Sequence, residues 1–242
     1  LRLPRHRADV HAAWCWAREA GEGRLETELA VALGFLHLRF GPYEAGLPPV
    51  RLALERPVLT ARDAVDLRLL LAHLLVRAGS AEEAEAVLLD GLSLAEGEDR
   101  ARVLLSLTMA RRMQGRIPDA ESSLAEARAA LPPDASASVV GNLENNAGIL
   151  ATHRSRPAEA EAHFLRALHR FSDAGLVREQ GMVALNLGGE LATRGQPVRA
   201  QRLVDQSVAL AREAGDLRFL LFALGNAGLM AARHGDLDEA WE

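Results

Sequence analysis

Three segments of this chain line up without a gap: Asn145-Asn146-Ala147-Gly148, Leu185-Asn186-Leu187-Gly188 and Gly225-Asn226-Ala227-Gly228, with successive final glycines forty positions apart. Each is followed by a short linker, Ser155-Arg156-Pro157, Gly195-Gln196-Pro197 or Gly235-Asp236-Leu237, and then by an alanine, Ala160, Ala200 or Ala240. A unit of this length cannot bury its apolar face alone, so a chain that repeats it must stack neighbour on neighbour into a solenoid. Within a unit the pattern predicts helix, turn, helix. Two antiparallel helices approach closely only where the side chains at the crossing are small, and this sets Gly148 against Ala160.

The period continues upstream. Forty positions before Gly148 stands Thr108, followed by Gly115-Arg116-Ile117 and Ala120. Earlier turns at Gly79-Ser80-Ala81, with Ala84, and at Gly41-Pro42-Tyr43, with Gly46, follow at spacings of thirty-six and thirty-eight. The expected architecture is therefore all-α, a right-handed superhelical solenoid of about six antiparallel helix pairs over residues 25–242. Residues 1–24 precede the array, and Asp9 to Ala20, with Trp14 and Trp16, predicts a helix that caps its first unit. The connector Leu131-Pro132-Pro133-Asp134-Ala135-Ser136 is expected as a loop inside one array, ending one helix and offering caps to the next. The last unit is cut at Trp241-Glu242 and the first residue is Leu1, so the parent protein is expected to extend in both directions.

The second helices carry the amphipathic stripe that stacking requires: Ala160, Phe164, Ala167, Leu168 and Phe171 in one, Ala200, Leu203, Val204, Ser207, Val208 and Leu210 in the next. Gly175 and Gly215 are placed as helix C-caps, and Asp173 or Asp216 as turn or N-cap residues. The composition agrees. The chain is 49% hydrophobic but only 4% aromatic, so its apolar surface is built of good helix formers. A formal charge of −5 without an arginine cluster excludes the footprint of a nucleic-acid binder, and no apolar run is long enough to span a bilayer. Cys15 is the one cysteine, so neither a disulfide framework nor a zinc pair can form, which suits a cytoplasmic setting; between two tryptophans it is expected as a small core residue.

At the Asn-Leu-Gly, turn and alanine positions the sequence resembles the tetratricopeptide repeat (TPR) over residues 27–242. The longer period, with phrases such as Ser207-Val208-Ala209-Leu210-Ala211-Arg212-Glu213-Ala214-Gly215-Asp216, is similar to the C-terminal arrays of bacterial STAND-type signalling ATPases and MalT-like transcriptional regulators. That resemblance implies a module that senses a partner or inducer for domains elsewhere in its protein.

First helices of such pairs line the concave groove, which places Asn146, Asn186 and Asn226 there as a ladder. An asparagine amide offers one acceptor and two donors, enough to clamp a peptide backbone of any sequence. The alternative is that each amide bonds to a neighbouring helix. The same arithmetic adds Arg112, Asn142, Asn145, Thr152, His153 and Arg233, a polar and partly cationic set suited to an acidic or C-terminal peptide; the alternative for each arginine is a solvated surface residue. No catalytic motif and no phosphate loop occurs. His163 and His169 do not share a helical face, so neither a metal nor another cofactor is expected. Runs such as Glu82-Glu83-Ala84-Glu85 are expected as solvated helix faces. The partner is thus a protein or peptide, or a small inducer, with self-association or docking onto another domain of the same protein as the other use of such a scaffold.

Overall fold

The computed structural model describes residues 6–56 and 60–234, with side chains to residue 230. Among the described residues it holds twelve α-helices and no strand: α1 (Arg7–Glu19), α2 (Gly23–Phe40), α3 (Leu47–Leu54), α4 (Ala61–Arg77), α5 (Ala81–Leu92), α6 (Gly97–Met113), α7 (Ile117–Ala130), α8 (Ala137–His153), α9 (Pro157–Asp173), α10 (Val177–Thr193), α11 (Pro197–Glu213) and α12 (Leu217–His234). The expected third linker, Gly235-Asp236-Leu237, and the residues Ala240, Trp241 and Glu242 lie outside the described residues, as does the side chain of Arg233.

The chain divides into two compact units, Leu1–Pro133 and Asp134–Glu242. The division falls in the connector expected as an internal loop. Other junctions late in the chain are three-residue turns, whereas here Leu131 is extended and Pro132 and Pro133 withdraw two backbone donors. In the first unit α1 packs on α2, and α2, α4 and α6 stand side by side as an inner row, with α5 and α7 paired to α4 and α6. In the second unit α8, α10 and α12 form the inner row, α10 in the middle, with α9 and α11 behind.

Local chemistry explains the breaks. At α4, α6, α9, α10 and α11 the chain leaves the helix through a glycine of positive φ (Gly79, Gly115, Gly175, Gly195 and Gly215), and the following N–H returns to a carbonyl five residues back, as in Arg116 to Arg111 and Leu176 to Phe171, both 2.9 Å. The turn after α8 has the same bond, Arg156 to Ala151 at 2.9 Å, but Ser155 occupies the left-handed position at φ 55°. A Cβ there is strained. Replacing Ser155 with glycine is expected to raise stability by about 0.5–1 kcal/mol, read as a higher urea midpoint at unchanged slope. At the other ends, Ser136 accepts from Val139 N–H to cap α8, and Thr60 with Asp63 forms a capping box on α4. Asp216 caps α12 through Phe219 N–H at 3.0 Å. Asp173 does not cap; it closes α9 and faces His169.

Ala84, Ala120, Ala160 and Ala200 are all fully buried, as their repeat position predicts. The glycine partners differ from the expected pairing at one site. At Gly188 a Cβ would meet Val204 and, at 3.3 Å, the carbonyl of Ala200, which is the expected close approach of backbones. At Gly148 the space is taken by the ring of Phe164, 2.6 Å from where a Cβ would be, rather than by Ala160. Gly141, two turns earlier on α8, houses Phe171 in the same way. One helix thus takes two aromatic rings edge-on into its own surface.

At the N-terminal end Trp14 and Ala17, one turn apart, carry the burial of α1. Cys15 sits about 100° away around the helix and is partly exposed, its Sγ 3.7 Å from His11 Nδ1, so it is not the small core residue expected.

Candidate ligand-binding face

Polar contacts cross the seams between first helices in each unit. In the second unit the seam between α8 and α10 is bridged twice. Asn186 Nδ2 donates to Asn145 Oδ1 at 3.0 Å, and Thr152 Oγ1 donates to Glu190 Oε2 at 2.7 Å. Asn146 and Asn226 instead donate back along their own helices, to the carbonyls of Asn142 (2.9 Å) and Phe222 (2.8 Å). Each ladder amide therefore spends one N–H on the scaffold. Each keeps its second N–H and its carbonyl, the donor and acceptor pair that an extended backbone would need.

Asn142, Asn145, Asn146, Thr152, His153, Asn186 and Asn226 all belong to this unit, and all are at least partly exposed. Glu190, which the sequence did not single out, joins them with only 7% of its surface exposed. The polar row here is neutral to acidic, not cationic. Arg112 lies in the other unit, near the end of α6, so the cationic part of the expected set is separated from the amides. The first unit's own seam is charged: Arg102 pairs with Asp66 across α4 and α6 at 2.8 Å, and Ser106 Oγ meets His73 Nε2 at 3.4 Å.

Behind the inner row, carboxylates fasten successive helices. Glu85 on α5 accepts from Arg111 Nε (2.9 Å), Gln114 Nε2 (2.9 Å) and Arg116 Nη1 (2.6 Å), and is 8% exposed. Only Glu82 and Glu83 of that run are solvated as expected; Glu85 follows Ala84, and the buried alanine carries its neighbour into the junction with the next pair. Burial pushes the Glu85 carboxyl up, but the hydrogen bonds from Arg111 and Gln114 and the charge of Arg116 hold it below the usual carboxylate range. Glu161, in the equivalent place after Ala160, accepts from Arg194 and Arg199, both at 2.6 Å, and these bonds hold its carboxyl low as well. Glu144 on α8 accepts from His163 Nδ1 (2.7 Å) and Arg166 Nε (2.8 Å) of α9; burial raises its carboxyl and the two partners outweigh that. His163 is thereby committed to a pair, and among the described residues no three His, Cys, Asp or Glu side chains gather as a metal would require.

No family model and no curated relative matches the sequence. Solved structures do. BtubC from P. vanneervenii is 21% identical over 89% of this chain and 93% of that one, with a TM-score of 0.64. A thermophilic TPR protein from Thermus thermophilus is 16% identical over 83% of this chain and 98% of its own, at 0.60. The fold is that of the tetratricopeptide repeat. A signal-transduction ATPase with numerous domains and a tetratricopeptide-repeat sensor, from Pyrococcus horikoshii, also matches at 0.60 and 12% identity; this TPR chain covers 87% of itself and only 34% of that protein, about a third of its length. No described helix of this TPR chain is long and apolar enough to cross a membrane.

Proposed function

We propose that this TPR chain is a non-catalytic, cytoplasmic interaction module of a bacterial signalling or transcription-regulating protein, holding a peptide or protein segment against the first helices of its pairs. The observation that carries this reading is the partial satisfaction of the amides: Asn146, Asn186 and Asn226 are each anchored by one bond yet retain donor and acceptor capacity on an accessible face. Likeness to a STAND protein with a TPR sensor supports the signalling context.

A second reading, a scaffold that self-associates or docks another domain of its own protein, is supported by α12. Leu217, Leu221, Phe222, Leu224 and Leu229 on that helix are exposed, an apolar face that another copy or another part of the same protein would cover.

The test is affinity capture by the wild type and by the Asn146→Ala/Asn186→Ala/Asn226→Ala variant, with cross-links from the captured partner mapped onto the chain. Partner binding by the first helices predicts at least a tenfold loss in the triple variant at unchanged helicity, about 1.4 kcal/mol or more, with cross-links on α8, α10 and α12. Equal capture by both, with cross-links confined to the outer face of α12, sinks the amide ladder and favours the scaffold.

A further inference from the structure

Among the described residues five carboxylates are almost wholly withdrawn from solvent: Glu26, Glu85, Glu144, Glu190 and Asp216. Four of them have an arginine. Glu26 pairs with Arg56, Glu85 with Arg111, Glu144 with Arg166 and Asp216 with Arg178. Glu190 does not. Its side chain takes one hydrogen bond, on Oε2 from the neutral hydroxyl of Thr152 across the seam between α8 and α10, and Oε1 takes no bond from the described chain. Arg194, one turn further along α10, is committed to Glu161 at 2.6 Å.

The surface beside this carboxylate is open. Gly189 precedes it in the interior of α10 and is exposed, and a Cβ built there would meet no other atom within 4 Å. This glycine weakens its helix without serving the packing, unlike Gly188 before it, whose Cβ would meet Val204 and the carbonyl of Ala200. One turn before Glu190, Asn186 has its Nδ2 on Asn145 and its Oδ1 unbonded. Helical geometry sets Asn186 between the directions of Gly189 and Glu190, about 60° from the first and about 40° from the second. The edge of the site thus offers a carboxylate oxygen and an amide oxygen beside bare backbone, acceptors without a donor.

A buried carboxylate without a cation costs stability, and a chain that supplies an arginine to each of the other four leaves this one for a cation that arrives with a ligand. We infer that Glu190 receives the ammonium of a lysine side chain on the bound partner segment, with Asn186 Oδ1 accepting a second of its hydrogens. An ammonium fits better than a guanidinium, because Thr152 already holds Oε2 and the carboxylate presents one oxygen, not the pair that an arginine fork engages. The 242 residues include no lysine, so a second copy of the chain has none to offer. This assignment rests on the reading of the first helices as a peptide-binding face and names the chemistry it selects.

The full 242-residue chain is titrated with an acetylated and amidated tetralysine peptide, with the Nε-acetylated form of that peptide and butylammonium as controls. The backbone amide resonances of Gly189 and Glu190 are followed throughout. The expected result is a saturable shift of both with tetralysine and with neither control, weakened about tenfold or more in E190Q. An equal loss is expected in G189L, which keeps the carboxylate and covers the approach to it. E82Q, which removes an exposed carboxylate from the other unit, is expected to bind as the wild type does, so that the chain's net charge is accounted for. The melting temperature of E190Q is expected to stay level or rise by a few degrees, because glutamine still accepts from Thr152 and an uncompensated charge has been removed. Unmoved resonances, binding unchanged in E190Q or G189L, an equal loss in E82Q, either control binding as tightly as tetralysine, or a lowered melting temperature in E190Q would each overturn the assignment. In affinity capture, a partner lost by the triple asparagine variant and kept by E190Q sinks Glu190 alone. Tetralysine binding that depends on Glu190, beside a partner kept by the triple variant, leaves this site standing where the amide ladder has failed.

Discussion

Truncating Phe164 to alanine is expected to cost about 3–5 kcal/mol and to unfold the second unit at room temperature in modest urea. The ring is fully buried and lies across α8 at Gly148, so its removal opens a cavity on both helices of one pair at once. Gly148→Ala alone is expected to destabilise as well, by about 1–3 kcal/mol less the roughly 1 kcal/mol that alanine gains over glycine in a helix, because its Cβ would stand 2.6 Å from the ring. The two changes together should cost less than their sum, since the new methyl enters the space that the ring has left. A double-mutant cycle by urea unfolding, followed by circular dichroism, reads that coupling directly, and about 1–2 kcal/mol is expected. Strict additivity would mean that ring and glycine do not share the space, and the packing described for α8 and α9 would be wrong.

The same contact shows how far the sequence could be read. Periodicity located the turns and the buried alanines, because both answer to backbone geometry and each position bears the same residue type in several repeats. It could not say which neighbour fills the space at a glycine. Gly148 and Gly188 hold the same place in the repeat, but the residue four after the alanine is Phe164 in one pair and Val204 in the next, so one glycine admits a ring and the other a backbone. Periodicity also concealed the division of the chain. From Gly148 to Gly188 forty positions are spent on the seventeen-residue helix α9 and a three-residue turn; from Thr108 to Gly148 they are spent on the fourteen-residue α7 and the longer Leu131–Ser136 connector. Equal spacing therefore arises from two different structures. Spacing put Asn146, Asn186 and Asn226 at one position of the repeat, but their present bonds were not legible, because whether an amide turns to its own helix or to the next depends on side-chain packing that spacing does not encode.

The charged fastenings were the least legible, and they carry the second large effect. Glu85→Leu is expected to destabilise the first unit by about 2–4 kcal/mol near neutral pH, because it strips Arg111, Gln114 and Arg116 of their common acceptor and leaves the part-buried Arg111 guanidinium with neutral acceptors, Ser123 Oγ at 2.7 Å and the Asp119 carbonyl at 3.4 Å. The effect should depend on pH in a fixed direction. The folded-state carboxyl titrates below its ordinary value of 4.5, so the native state binds its proton only at lower pH than the unfolded chain does. The contribution of this network is therefore complete above about pH 5, fades as the pH falls through 4.5, and is gone below the folded-state value. Unfolding midpoints for the wild type and the leucine variant, measured between pH 7 and pH 3, should converge toward acid. Parallel curves would show that the carboxylate is not what joins α5 to α6, and that the apolar contacts around Ala84 and Leu88 hold the junction without it.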